Sequence, residues 1–484
     1  MKKHALLVFL VLTMFSLQGC GSNDSASPNP TNPTTPTSPT TPTTPTTPTT
    51  TVSTDTVLST ASLGDLTDIG DYLNSAGEEW FFASTTDVSS QGMIIGDSPK
   101  NNLIFWDPAS PNVLTKVPTP VGGYYDDYYD LVAGDGSSKF VGYEVLEIND
   151  TGLVLGNLYA GADEARGFIW DSVKDTFIDL APPNYTNEAG DRVFGKYSKA
   201  VDISANGWVL LTADDEDGSR RVFLWDGSTY TTVNDLQTDT GSTLPPFDVP
   251  SLVKASDILR STAAEAVALN DNGQVVLSSS EGSVYNDFIT GGWAALGDLP
   301  GVSEATSIPV DINNNKHIVG MSGNEGFFWD GGVMYPISNP SGDTVEVVDI
   351  NNNDIVVGNS GGQGFVWSID SDTQKGVFSA IGSLGGGTST VVAINDRDEV
   401  IGQSTTGNTY SEGNVTVAVE HAFLWKKNVM YDLGAHSPPD YAYPFNPDFY
   451  FSKATAISES GIVVGNSYSI NDHSRGFTLR PVFP

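Results

Sequence analysis

The sequence predicts an all-β protein, a β-propeller of four-stranded antiparallel blades with eight as the predicted blade count and seven as the alternative. Three observations predict it. A segment of the form apolar-Asn-Asp-x-Gly-x-Val-Val-Gly returns down the chain, a pair of aromatics spaced Phe-x-Trp follows most copies, and no stretch from residue 55 onward carries a long helical period. A single unit of this kind cannot bury its own apolar faces. Radial stacking of several does so while leaving only short edges. A β-solenoid would show a shorter and more regular period.

The repeat is clearest at Ile148-Asn149-Asp150-Thr151-Gly152, at Leu269-Asn270-Asp271-Asn272-Gly273 and at Ile394-Asn395-Asp396. Looser copies begin at Val88, Ile203, Ile312, Ile350 and Ile457. Upstream of each lies an alternating strand such as Val345-Glu346-Val347-Val348-Asp349-Ile350. Downstream stand Phe168/Trp170, Phe223/Trp225, Phe327/Trp329, Phe365/Trp367 and Phe423/Trp425, and residues two apart on a strand share a face. A fourth short strand follows, as in Met430-Tyr431-Asp432-Leu433. Seven blades would result if the third or fourth copy were incomplete.

Within the turn, Gly and Asn accept positive φ and Asp caps the local backbone. Lys316, Asp354 and Asp398 replace the glycine in three copies. Lys tolerates that geometry less well than Asp, so the turn containing Lys316 is expected to differ from the rest. The last copy ends without a fourth strand. Ala61-Ser62-Leu63-Gly64-Asp65-Leu66 has the pattern of the missing one, which predicts a ring closed by an N-terminal strand.

The segment ahead of the repeats divides in two. Lys2 and Lys3 precede an apolar run from Ala5 to Leu17 that has the length of a signal-peptide core and is too short to span a bilayer. Next comes Leu17-Gln18-Gly19-Cys20, which resembles the bacterial lipobox, where the cysteine is diacylated before cleavage. Cys20 is the only cysteine, so no disulfide holds the fold. The lipobox resemblance implies a signal peptide over 1–19 and a secreted, lipid-anchored protein. Gly21 and Ser22 stand where an aspartate would imply retention in an inner membrane, which points to the outer membrane or cell surface. Residues 20–54 form the lipidated terminus and a stalk. Prolines recur at every third position from Pro30 to Pro48, the period of polyproline II, giving a semi-rigid spacer of about 70 Å. Residues 55–484 remain for the propeller.

A formal net charge of −37 and a pI near 4.1 repel nucleic acid and anionic lipid, so the anchor is the only membrane contact expected. Five histidines, His4, His317, His421, His436 and His473, show no metal-ligand spacing. No phosphate loop or nucleophile elbow is present. Asp214-Asp215-Glu216-Asp217-Gly218 lacks the oxygen alternation of a calcium loop and reads as an exposed acidic turn. No catalytic set, metal or cofactor is therefore expected.

His421-Ala422-Phe423-Leu424-Trp425, followed by Met430-Tyr431-Asp432-Leu433-Gly434, resembles the HAF-repeat family of extracellular bacterial proteins, as do the Asn-Asp-x-Gly segments. The resemblance covers most of 55–484. It implies secretion and a repeat fold and carries over no activity.

Long insertions fall between second and third strands, as in 404–421, or between one unit and the next, as in 115–142, 237–263 and 435–451. In a propeller those two classes emerge on one side of the disc. That face gathers Tyr124, Tyr125, Tyr128 and Tyr129 among Asp126, Asp127 and Asp130, and Tyr441, Tyr443, Phe445 and Tyr450. Tyr beside carboxylate suits a glycan or protein partner, because the ring stacks while polar groups orient the ligand. The same residues could instead pack on each other as a lid. The first function class is thus a non-catalytic binding or scaffold lipoprotein. The second is an extracellular propeller enzyme of polysaccharide lyase or hydrolase type, since propellers host both. Cys20→Ser should release the protein from the membrane fraction without unfolding it, as fractionation and a thermal melt would show; continued sedimentation with membranes contradicts the anchor.

Overall fold

Each repeat folds as an antiparallel meander with its strands hydrogen-bonded in chain order. In one copy Val345–Ile350, Val356–Ser360, Gln363–Asp370 and Lys375–Ala380 lie side by side. The computed structural model describes residues 81–117, 142–180, 197–232, 264–435 and 450–483 apart from short breaks at loop tips. It also describes the two-residue strands Thr67–Asp68, Tyr72–Leu73, Glu79–Trp80, Leu131–Val132, Lys139–Phe140, Tyr185–Thr186 and Arg192–Val193. Meanders of the same order span 84–116, 265–295, 308–337 and 389–434. Those at 142–179 and 198–232 are joined by one parallel bridge, Arg166 to Ser198. No helix occurs among the described residues. The chain is a β-propeller.

An N-terminal strand does complete the last sheet, directly after the segment 61–66 that the sequence pattern pointed to. Thr67 and Asp68 pair antiparallel with Thr478 and Phe477, completing the sheet of Phe451–Ile457, Val463–Tyr468 and Ser474–Leu479. Residues 61–66 lie outside the described residues. A correction concerns 404–421. It is not a loop but the projecting end of a hairpin, Val400–Glu412 against Val415–Lys426, whose alternating Thr, Tyr and Val favour extended backbone.

The core lies between blades rather than within them. Phe365 and Trp367 share one apolar cluster with Val319, Phe328 and Ile337 of the preceding blade, and Trp367 sits 5.4 Å from the Phe328 ring. Phe168 and Trp170 do the same against Ile95 and Phe105. Burying a Phe of this size contributes about 1.5–3 kcal/mol. The glycine of Val-Val-Gly is fixed by this packing. A Cβ on Gly358 would collide with the Glu346 carbonyl and the Phe365 ring, and one on Gly402 with the Thr390 carbonyl and the Phe423 ring.

Every inner strand among the described residues slips register by one residue near its end, as between Val347 and Asp349. A slip leaves backbone groups without a ladder partner. The neighbouring blade supplies one. Asn359 accepts from Val391 N at 2.8 Å and donates to its carbonyl at 3.3 Å; Asn157 does so to Ala200 at 2.8 and 3.0 Å. At the closure Asn466 accepts from Thr85 N at 2.9 Å, so chain ends 381 residues apart meet through the same joint as sequential blades.

The turns form a second ring. Asn351 Oδ1 caps its own turn by accepting from Asn353 N and Ile355 N at 3.1 and 2.9 Å, while Nδ2 reaches the next blade's Asn395 carbonyl at 3.0 Å. Asn395 repeats this to Ser458, Asn313 to Asn351, Asn270 to Asn313 and Asn149 to Ser204. The following position adds Asn352 N to Asp396 at 2.7 Å and Asp396 N to Glu459 at 2.8 Å. This ring overturns the expectation for Lys316. Its φ is 72°, beside 62° at Asp354 and 58° at Asp398, and its N–H makes the same bond to Asn313 O that Asp354 makes to Asn351 O. The strain, about 1 kcal/mol or more, is outweighed by the Asn313 side chain, which holds both ends of the turn. Asn351→Ala should cost about 3 kcal/mol in urea unfolding and Asn351→Ser about half of that, because Ser keeps the cap, as Ser458 does to Ile462 N at 2.8 Å, but loses the inter-blade arm. Equal losses would remove the arm from the account.

Candidate functional site

Of the residues expected on the loop face, Tyr124, Tyr125, Asp126, Asp127, Tyr128, Tyr129, Asp130, Tyr441, Tyr443 and Phe445 lie outside the described residues, as does Cys20. Tyr450 is described and half-buried. Its ring stands 4.7 Å from Tyr410, which is on the projecting hairpin, and Tyr410 lies 6.5 Å from Phe451. An insertion between second and third strands therefore meets a connection between blades, as the loop geometry predicts. The tyrosine pair was not visible in the sequence, because 410 and 450 sit in different insertions and only the ring joins them.

The hairpin is held at its root and open at its side. Ser404 Oγ donates to Thr388 O at 2.8 Å and accepts from Leu384 N at 2.9 Å, and Thr405 Oγ1 lies 3.0 Å from Thr388 Oγ1. The register shifts between Thr405 and Thr409, where Gly407 takes a φ of 80° that other residues adopt only under strain. Beyond the root lies an open cleft of about 720 Å³ bounded by Asn408, Thr409, Tyr410, Val419, His421 and Tyr450. His421 Nδ1 lies 2.8 and 3.0 Å from the two carboxylate oxygens of Asp432. An ionised carboxylate only accepts, so Nδ1 donates to Asp432 and Nε2 is the ring nitrogen left facing away from it. The walls thus offer hydroxyls, one amide, two phenol rings and an imidazole nitrogen. Such a set fits an uncharged, hydroxyl- or amide-rich ligand.

Two further clusters were missed by sequence reasoning. His317 on the turn side lies 2.6 Å from Asp354 and 3.5 Å from Asp330, with its ring 4.9 Å from Phe328. The acids at Asp87, Glu147, Asp202, Asp311 and Asp349 are all buried at one register position. Their signal was present, an acidic residue immediately before the apolar-Asn or apolar-Ser pair that opens the turn, but a single strand gives no reason to bury it. Among the described residues no group of three His, Cys, Asp or Glu is placed to hold a metal ion.

With this geometry in place, comparisons add fold likeness. No family model and no curated protein matches the sequence. Among solved structures the chain is similar to the β-propeller domain of the Trilobed protease from Pyrococcus furiosus, at 10% identity and a TM-score of 0.35 over 71% of this chain and 94% of that one. It is also similar to Porphyromonas gingivalis dipeptidyl peptidase 4, at 11% identity and a TM-score of 0.41 over 85% of this chain and 60% of that one. A structure from a structural and mechanistic analysis of two prolyl endopeptidases gives 10% identity and a TM-score of 0.44 over 81% of this chain and 55% of that one.

The hydrogen bond to Asp354 raises the His317 pKa above its ordinary value of 6.5 against the effect of burial, and the Asp354 and Asp330 charges add to it. A raised histidine pKa contributes stability that is complete below 6.5 and lost as pH rises through the folded value. For Asp354, burial works upward, but bonds from His317, Asn315 and Asn313 bring it below the ordinary range, so its share fades in acid. The difference in stability between wild type and His317→Gln should be about 1 kcal/mol or less below pH 6.5 and should shrink as pH rises through the raised His317 value. A difference that persists in base would mean packing on Phe328, not charge, is what the ring supplies.

Proposed function

We propose that the protein is a surface lipoprotein of the HAF-repeat kind, anchored at Cys20 in an outer membrane or cell surface, closed as an eight-bladed ring, and binding a glycan or protein through its loop face. The observation that carries the binding reading is the cleft between Tyr410 and Tyr450, an aromatic wall opposed to hydroxyls and an amide on the side of the ring away from the hydrogen-bonded turns. The turn face is committed to holding blades together. Insertions on the other face are free to vary, and long loops on a rigid scaffold are where binding residues collect. Phenol rings stack on sugar or peptide faces, and hydroxyls exchange hydrogen bonds with a ligand at little desolvation cost.

One observation favours the enzymatic alternative. The His421–Asp432 pair borders the same cleft, and a carboxylate-oriented imidazole is the arrangement of a general base.

The full chain in detergent should capture members of a glycan and peptide array. Tyr410→Ala with Tyr450→Ala should weaken capture at least tenfold with little change in thermal midpoint, and Thr151→Ala on the turn face should leave capture intact. Full capture by the tyrosine variant, or loss only in the turn variant, rejects the loop face. Turnover of an arrayed polysaccharide that His421→Gln abolishes while capture survives would establish the second reading, and no turnover by wild type would dismiss it.

A further inference from the structure

The joint between the blade at 345–380 and the blade at 389–434 is filled less completely than the joint before it. Where one blade pairs Phe327 with Pro336 and Phe328 with Tyr335, the next pairs Phe365 with Ala380 and Val366 with Ser379. In the earlier joint the Phe328 ring lies 5.4 Å from Trp367, and the Tyr335 and His317 rings stand 6.2 and 4.9 Å from Phe328. Val366, Ser379 and Ile355 hold those three places in the later joint, against Trp425, and all are smaller. What they leave is an open groove of about 110 Å³ lined by Val366, Trp367, Val377, Ser379, Trp425 and Asp398. An apolar cavity of ~150 Å³ takes a benzene ring.

The strand beside the groove, Lys375–Ala380, is the outer strand of its sheet, and every residue in it but Phe378 is exposed. Ile381 N bonds to Gly364 O, so by alternation Lys375, Val377 and Ser379 bond into the sheet while the N–H and C=O groups of Gly376, Phe378 and Ala380 point outward. Among the described residues nothing is hydrogen-bonded to that outer side. Four other blades close this edge, with Lys116, Asp179, Pro336 and Asp432 at the place of Ala380. Proline removes the outward donor, and charge resists a pairing strand. Residues of an added strand opposite Val377 and Ser379 would project on the same face as they do, over the groove.

Two observations specify the occupant. One joint further along, Leu424 and Tyr431 stand at the places of Val366 and Ser379. There the chain's own Phe483, from outside the four strands of that blade, packs 5.7 Å from Tyr431 with Lys426 Nζ 4.6 Å from its ring. An aromatic side chain therefore suits this position of the fold. The second is charge: Asp398 borders the groove and Asp370 and Asp372 precede the strand, outnumbering Lys375, on a chain of net charge −37. Such a surface favours a basic partner.

We propose that this joint docks an extended segment of a partner protein, which adds a strand to the outer edge of Lys375–Ala380, sets an aromatic side chain into the groove beside Trp425 and carries Lys or Arg next to it. The site lies at a different joint from the Tyr410–Tyr450 cleft and survives the failure of that reading.

The test uses the full chain and the synthetic peptides Lys-Phe-Lys-Phe-Lys, Lys-Ser-Lys-Ser-Lys and Glu-Phe-Glu-Phe-Glu in titration calorimetry. The first should bind at least tenfold more tightly than the other two and slow hydrogen exchange over 376–380 at least tenfold. Two variants copy the preceding blade: Val366→Phe with Ser379→Tyr fills the groove, and Ala380→Pro removes an outward donor. Each should weaken the first peptide at least tenfold, leave the serine peptide unchanged and keep the thermal midpoint of wild type. No binding of the first peptide, or equal affinity for it in wild type and both variants, overturns the proposal. Equal affinity for the serine peptide reduces the site to attraction by net charge, and equal affinity for the glutamate peptide removes the basic partner; either overturns it. Absence of protection over 376–380 in wild type does so whether or not the variants fold. A wild-type dimer in sedimentation that Ala380→Pro dissolves would give the edge to a second copy of the chain and overturn the partner.

Discussion

The structure depends on how one blade is bonded to the next. Stacked sheets bury apolar surface without direction, so packing alone would let adjacent blades slide. Direction comes from asparagine amides that act on two blades at once. Asn351 caps its own turn with one end and grips Asn395 with the other, and Asn359 replaces the ladder bonds that the neighbouring inner strand gives up at its slip. An amide offers both a donor and an acceptor, which serine cannot match with the same reach. Where Ser204 and Ser458 stand instead, they cap their turns and receive the preceding arm.

This bonding also decides which face is available for function. Asn, Asp and backbone groups of the turns point at neighbours, so substitution there is paid in ring stability. The projecting hairpin is held at its root by Ser404 and Thr405 and farther out by Tyr410 against Tyr450 and Phe451.

Charge follows the same division. Among the described residues most acidic side chains are not buried. A few are withdrawn into joints, where they accept backbone N–H groups from the next blade. Burial there is costly for an anion and acceptable for a protonated carboxyl. Glu399 meets the same problem with two cations, a solution open to it because Lys426 and Arg397 stand on its own blade.

By itself the sequence determined the repeat, the four-strand unit, the facing of Phe and Trp, and closure by an N-terminal strand, because alternation, turn chemistry and aromatic spacing are local properties of a chain. It did not reveal the register of the closing strand, Thr67 opposite Thr478 and Asp68 opposite Phe477, since only the partner strand fixes register. It read 404–421 as a loop because Gly407 and a run of polar residues interrupt apolar alternation, although Thr and Tyr pair well across a hairpin. It expected the Lys316 turn to differ, and the Asn313 side chain, which accepts from both ends of that turn, holds it in the common geometry. What tertiary structure alone decided is the second role of each turn asparagine, the Tyr410–Tyr450 wall, the placing of the His421–Asp432 pair beside that wall, and the buried acids that accept N–H groups of the next blade. These residues lie tens of positions apart or on separate strands, and only closure of the ring gives them neighbours.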